Sequence, residues 1–261
     1  MQNLDFSGRR VVITGAASGI GKGLAQAFAS QRAELMLLDR NGEALAEVVA
    51  GMASHTPIRS LRVDLADDAS VRAGVAKLQE QWDRVDVLVN NAGMEQPTPL
   101  DGAAPEANSL WQTQLNNNVV SMVRLTRALL PLLPAGASVI NQSSIWGFSA
   151  VGGFSAYVAS KHAVIGLTRS LAWELGDRHI RVNAVCPGWV GTDAAMMSLR
   201  SMAASSGRSE QDELTRILSA QAIPELLTPA DLAGTFLFLG SPLAAALTGQ
   251  ALVVSRGEVM H

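Results

Sequence analysis

The sequence predicts an α/β fold: one doubly wound parallel sheet of about seven strands with helices on both faces. Three observations lead there. Short runs rich in Val, Ile and Leu recur between longer segments of helical periodicity, the rhythm of a parallel sheet buried on both sides. A glycine-rich turn, Thr14-Gly15-Ala16-Ala17-Ser18-Gly19-Ile20-Gly21, falls between the first such run and the first helical segment. The chain has 261 residues, 48% hydrophobic and 16% charged, which supplies one large core and is too apolar for disorder.

In chain order, a strand at 10–14 leads through the glycine turn into a helix at 20–31. A strand at 34–39 closes on Asp39 and is followed by a helix at 42–53. Strand 58–63 ends beside Asp64-Leu65, and helix 66–81 returns the chain to a strand at 85–90 that closes on Asn90. A helix is expected at 118–132, then a strand at 138–142, a helix at 156–175 and a strand at 180–185. A Met-, Ser- and Ala-rich stretch at 193–222 breaks the rhythm before a helix at 229–239 and a last strand at 250–254. With no linker, repeat or low-complexity tract, the whole chain, 1–261, reads as a single domain. The 193–222 insertion follows the carboxyl end of a strand, where crevices form in such sheets, so it is expected to act as a lid.

Charge and composition narrow the partners. A net charge of −3 with scattered Arg and Lys offers no footprint for nucleic acid and no polybasic strip for a membrane surface. The first residues, Met1 to Gly8, lack a charged-then-apolar signal, and no apolar run approaches the roughly 20 residues that span a bilayer. A cytoplasmic location and a small-molecule partner are expected. Cys186 is the only cysteine, which excludes an internal disulfide; its apolar surroundings fit a small core residue better than a nucleophile. His55, His162, His179 and His261 show no ligand spacing, so no metal site is expected. Residues 119–130 are apolar around most of a helical circumference, which fits a helix shared with a second subunit in a homo-oligomer (dimer or tetramer), or one buried within its own chain.

The glycine turn sits where a dinucleotide pyrophosphate would. Its glycines permit a tight turn and a close backbone approach, and the helix N-terminus faces negative charge. Asp39, 18 residues after Gly21, can accept hydrogen bonds from the adenosine ribose hydroxyls. A 2′-phosphate there would meet a carboxylate, so the cofactor expected is NAD. Arg40 can stack on adenine or tolerate a phosphate, and an Asp at a strand end also serves as a turn former. Together these features read as a Rossmann-type arrangement.

Tyr157, the only tyrosine, and Lys161, one of three lysines, are spaced i, i+4, which puts both on one face of a helix. An ammonium close to a phenol stabilises the phenolate and lowers its pKa, which suits an acid/base pair. At this point the chain resembles the classical short-chain dehydrogenases/reductases. The resemblance rests on the turn 14–21, Asn90-Asn91-Ala92-Gly93, Ser144 thirteen residues before Tyr157, the Tyr157/Lys161 pair, and Pro187-Gly188 with Thr192.

The resemblance implies a role for each matching position. Ser144 would hold the substrate oxygen, Tyr157 exchange the proton, and Lys161 depress the tyrosine pKa and bond the nicotinamide ribose. Asn118 would link Lys161 to solvent through a water. The cofactor would be held by Gly15, Ser18, Gly19, Ile20, Gly21, Asp39, Arg40, Asp64, Leu65, Asn90 and Gly93, and by Pro187, Gly188, Val190 and Thr192 around its carboxamide. Singly, Ser144, Asn118 and Pro187-Gly188 also fit a strand-end turn residue, a helix cap and a simple turn. The chain departs from the family at its C-terminus, where Ser255-Arg256-Gly257 replaces the usual Asp-Gly-Gly.

The implied activity is hydride transfer between NAD(H) and a secondary alcohol or its ketone, on a sugar, polyol or other small hydroxy compound. The alternatives are an NADPH-dependent 3-oxoacyl reductase and a silent nucleotide-binding regulator. Met94, Glu95, Trp146, Phe148, Phe154, Trp189, Met196 and Met197 are candidate pocket residues.

Overall fold

The computed structural model describes residues 4–52, 56–101 and 104–260; residues 1–3, 53–55, 102–103 and 261, His55 and His261 among them, lie outside the described residues. Among the described residues, seven parallel strands form one sheet in the order β3-β2-β1-β4-β5-β6-β7. They are β1 Arg10–Thr14, β2 Glu34–Asp39, β3 Ile58–Arg62, β4 Val87–Asn90, β5 Ser138–Gln142, β6 Arg181–Pro187 and β7 Ala251–Val254. The order reverses between β1 and β4, and it is at such a switch point that a crevice opens beyond the carboxyl ends.

The helices are α1 Gly19–Ser30, α2 Gly42–Ala50, α3 Asp68–Gln79, α4 Ala104–Leu115, α5 Ser121–Leu129, α6 Ser155–Gly176, α7 Asp193–Ser206, α8 Glu210–Leu218 and α9 Pro229–Gly240. Strand side chains alternate between two cores because the strand period is two. Val11, Ile13, Leu35 and Leu37 pack with Leu24, Phe28 and Phe236 on the face covered by α1 and α9. Val12, Met36 and Leu88 pack with Leu125, Leu129 and Val182 on the other. Both faces of the central strands are dry, hence their continuous apolar runs.

Helix starts follow local chemistry. The side chains of Asn41 and Asp67 accept from the first-turn amides of α2 and α3. Thr228 and Asp231 make a capping box on α9, with Pro229 in its first turn.

Three expectations change. The segment 118–132 is not one helix: a π-helical turn, Asn116–Val120, joins α4 to α5, and a 3-10 turn, Leu130–Leu132, follows. Three consecutive asparagines are poor helix formers, and a single π turn between α-helices commonly marks a functional position. Helix α4 was not expected, because its mixed sequence carries little apolar periodicity. The insertion at 193–222 is the pair α7 and α8, tied by Glu213, which is buried between Arg208 (3.0 Å) and Arg216 (2.5 Å). Around α5, Ser121, Met122, Leu125, Thr126 and Leu129 are buried while Arg127 is exposed, so its apolar surface belongs largely to its own chain.

Candidate active site

The carboxyl ends of β1 and β4 are locked together at the switch point. Thr14 Oγ1 accepts from the amides of Asn91 and Ala92, both at 2.9 Å, while Asn91 Nδ2 donates to the Thr14 carbonyl at 2.8 Å. Gly15 is required here twice over. Its φ is +65°, and a Cβ would stand 2.9 Å from Ala92 Cα. A Cβ on Gly21 would stand 2.1 Å from the Gly15 carbonyl oxygen, so Gly21 lets α1 pack onto the turn and does not itself line the cavity above it.

That cavity, of about 350 Å³, runs from the turn across the ends of β2 and β3. Gly15, Ser18, Gly19, Ile20, Asp39, Arg40, Asp64, Leu65 and Gly93 line it. The Asp39 carboxylate is fixed before any ligand arrives: it accepts from the Ala17 amide at 3.0 Å and the Asn41 amide at 2.9 Å. Each oxygen keeps a further lone pair for a ribose hydroxyl. Asn90 does not reach this cavity. It is 1% exposed, and Nδ2 donates to Thr126 Oγ1 (3.1 Å) and Asn141 Oδ1 (2.9 Å), pinning β4 to α5 and β5. The next residue, Asn91, faces the cleft instead.

A second cavity, of about 740 Å³, adjoins the first and contains the expected catalytic set. Ser144 lies two residues past the end of β5, and Tyr157 and Lys161 stand one turn apart on α6, both lining this cavity. Lys161 Nζ lies 5.3 Å from the Tyr157 ring centroid and donates to the Gln142 carbonyl at 3.1 Å. Ser143 Oγ donates to the Lys161 carbonyl at 2.8 Å, which couples β5 to α6. The Tyr157 ring is packed edge-on against Trp146, centroids 5.8 Å apart.

Asn118 lies in the π turn and is fully buried. Its carboxamide accepts from the Met94 amide at 2.7 Å and donates to the Met94 carbonyl (2.8 Å) and Ser160 Oγ (3.0 Å). Ser160 in turn donates to the Tyr157 carbonyl at 2.7 Å. Asn118 thus holds the strand-β4 exit against the catalytic turn of α6, and no direct bond joins it to Lys161.

The electrostatics correct one expectation. Burial pushes the Tyr157 phenol up, the Glu95 carboxylate pushes it further, and the Ser144 hydroxyl bond pulls it down. Lys161 lies against the ring and donates to the Gln142 carbonyl, and the rise from burial and Glu95 stands in place of the lowered phenol pKa that the i, i+4 spacing suggested. Burial lowers Lys161 itself to about 8, with Cys186 and Glu95 opposing. Glu95 opens to the cleft, yet loss of water around its carboxyl raises its pKa against the pull of Lys161. Burial also pushes the Cys186 thiol up to about 11, so a thiolate nucleophile is disfavoured.

Pro187, Gly188, Val190 and Thr192 line the larger cavity, as do Met94, Trp146, Phe154, Trp189 and Met197. Phe148 and Met196 do not; Phe148 packs against the Ile165–Cys186 cluster. Sequence reading missed Gln142, Asn91 and Glu258, which line it too. Among the described residues no group of three His, Cys, Asp or Glu side chains converges as metal ligands.

A dinucleotide fits these residues. The turn is a cradle that a Cβ would fill. Two buried acceptors shared by both cavities' linings, Asn91 Oδ1 and Gln142 Oε1, have no hydrogen-bond partner, and buried polar groups rarely stay that way.

Comparison with known proteins agrees. A family model described as enoyl-(acyl carrier protein) reductase matches residues 15–258. The chain is 33% identical to a probable galactose dehydrogenase of Rhizobium meliloti, over 97% of this chain and 96% of the relative. It is 35% identical to a monensin polyketide synthase putative ketoacyl reductase of Streptomyces virginiae, over 95% and 96%. The L-sorbose reductase of Gluconobacter frateurii, solved with NADPH and L-sorbose, superposes with a TM-score of 0.91 at 28% identity over the full length of both chains. The glycine turn, the Ser144-Tyr157-Lys161 set and these matches place the chain in the short-chain dehydrogenase/reductase family of oxidoreductases.

Proposed function

We propose that this oxidoreductase interconverts a secondary alcohol of the sugar or polyol class and its ketone, using NAD(H), with Tyr157 as general acid/base. The observation that carries this reading is the convergence of the Ser144 and Tyr157 hydroxyls on one cavity that opens into the glycine-turn cavity. When bound, the nicotinamide supplies or accepts the hydride. The chain's own residues manage the oxygen: Ser144 donates to it while Tyr157 exchanges its proton. Buried Lys161 supplies the positive charge behind the phenol, and Glu95 opposes its ionisation. In reduction the protonated phenol is the form required, and burial favours that form at neutral pH.

NAD is favoured by Asp39, whose carboxylate is held by two amides at the ribose end of the smaller cavity. An NADPH-dependent 3-oxoacyl reductase is the rival, consistent with the ketoacyl reductase relative; the same carboxylate argues against it. A silent regulator would need a broken catalytic set, and here the set is whole. Helix α7, backed by α8, acts as the lid, since Ala194, Met197 and Ser198 line the substrate cavity. The whole works as one domain in a cytoplasmic homo-oligomer, dimer or tetramer, with Val120 (45% exposed) and Trp173 (88% exposed) as apolar surface for a partner subunit. No helix among the described residues is long and apolar enough to cross a membrane.

The deciding experiment is a panel of sugars, polyols and plain secondary alcohols with NAD and with NADP, followed by absorbance of the reduced nicotinamide. Turnover of sugars or polyols with NAD preferred is expected. Preference for NADPH with 3-oxoacyl thioesters would overturn the reading.

A further inference from the structure

Strand order places two carboxylates on either side of the reacting centre. Ser144 follows β5 and Gly188 follows β6; Glu95 follows β4 and Glu258 follows β7, so the acids flank the pair on both sides. Glu258 is built into position. Its segment turns through two consecutive residues of positive φ, Arg256 (51°) and Gly257 (83°). Arg256 clamps it to Glu225 (2.9 Å) and Asp231 (3.6 Å), while the Ile223 amide donates to the Arg256 carbonyl at 3.0 Å. A non-glycine residue at positive φ is a backbone cost, and such costs concentrate at functional sites.

The structure leaves this fixed carboxyl half unused. Glu258 Oε2 is buried and accepts no hydrogen bond, and the Trp189 indole N–H, which also belongs to the cavity wall, donates none. A Cβ on Gly188 would stand 3.0 Å from Ser255 Cα and Cβ, so the glycine lets the segment that carries Glu258 pack closely against the end of β6.

Glu258 and Trp189 both belong to the cavity lining and each keeps a buried polar atom without a partner, one an acceptor and one a donor, which together suit a group that both donates and accepts. A hydroxyl does both; an ammonium only donates, and a carboxylate or phosphate only accepts and is repelled by Glu95 and Glu258. We propose that Glu258, with the Trp189 N–H, binds a substrate hydroxyl other than the one that reacts, and so makes a polyhydroxylated compound the preferred substrate. This rests on the secondary-alcohol reading above and names the determinant of its substrate class. Glu258 is a specificity-determining residue and takes no proton in the reaction.

The test compares D-galactose and ribitol with cyclohexanol as substrates of the native protein, Glu258→Ala and Glu258→Gln. The ratio of kcat/KM for the better polyol to that for cyclohexanol is expected to fall about 10- to 100-fold in Glu258→Ala, the size of a lost hydrogen bond to a charged group, and less in Glu258→Gln. An unchanged ratio, with turnover intact, overturns this inference alone. Calorimetric titration of the same polyols into the protein with NADH separates the two claims. Glu258-dependent binding without turnover of any alcohol upholds the hydroxyl site and sinks the oxidoreductase reading. Polyols that bind native protein and Glu258→Ala equally, or none that bind at all, overturn the site. Tighter and more Glu258-dependent binding of 1-amino-2-propanol than of either polyol also overturns it, in favour of a cation site.

Discussion

Burial and the Glu95 carboxylate raise the Tyr157 phenol, and the Ser144 hydroxyl is the group that pulls it down. Removing that negative charge relieves the repulsion that raises the phenol, so Glu95→Gln is expected to shift the rising limb of the alcohol-oxidation pH profile to lower pH. The sign follows from which form reacts: oxidation needs a base, and a lower phenol pKa populates that base at lower pH. Ketone reduction needs the protonated phenol and should keep its neutral-pH plateau. Stopped-flow traces of both directions across pH check this, and a profile moved to higher pH would contradict it. At the other end of the cleft, Asp39→Ala is expected to narrow the preference for NAD over NADP by about 10-fold or more, the scale of a charge-assisted hydrogen bond; Michaelis constants for both cofactors read it.

At the scale of elements, the sequence displayed what local chemistry controls and concealed what depends on neighbours. The glycine turn and the i, i+4 pair of Tyr157 and Lys161 were legible because a close backbone approach and a helical face are local properties. Asn90 was misassigned to the cofactor cavity because strand alternation alone does not say which of Asn90 and Asn91 points inward; the bonds to Thr126 and Asn141 decide that. The π turn that buries Asn118 was hidden for a similar reason, since its extra residue is stabilised by contacts from Met94 and Ser160, far away in sequence. Phe148 and Met196 looked like pocket residues by position, yet side-chain direction takes them out of it. The α7–α8 pair depends on Glu213, whose carboxyl Arg216 and Arg208 hold below the usual range. Glu213→Ala leaves both arginines without this carboxylate and should speed amide hydrogen exchange across 193–218 without speeding exchange elsewhere; unchanged protection would show that the pair is held by its apolar contacts instead.

For the molecule as a whole, composition and rhythm were enough to predict a doubly wound sheet, because buried parallel strands need continuous apolar runs and connecting helices. What they could not supply was the path of the chain beyond β7, where the Arg256 turn carries Glu258 back over the site. The core on the α1–α9 face should behave as one cooperative unit. Phe28 is fully buried there, edge-on to Phe6 at 5.0 Å, and Phe28→Ala should cost about 3–5 kcal/mol in denaturant unfolding while leaving the cleft intact once folded. A loss below about 1 kcal/mol would mean that the core closes over the gap.

All of this places one phenol at the centre of the chemistry. Tyr157→Phe keeps the ring against Trp146 and removes only the proton, so NADH affinity is expected to stay within about threefold while turnover falls by about 10³-fold or more. A variant that binds NADH and still turns over alcohols at a rate near that of the native protein would contradict the account.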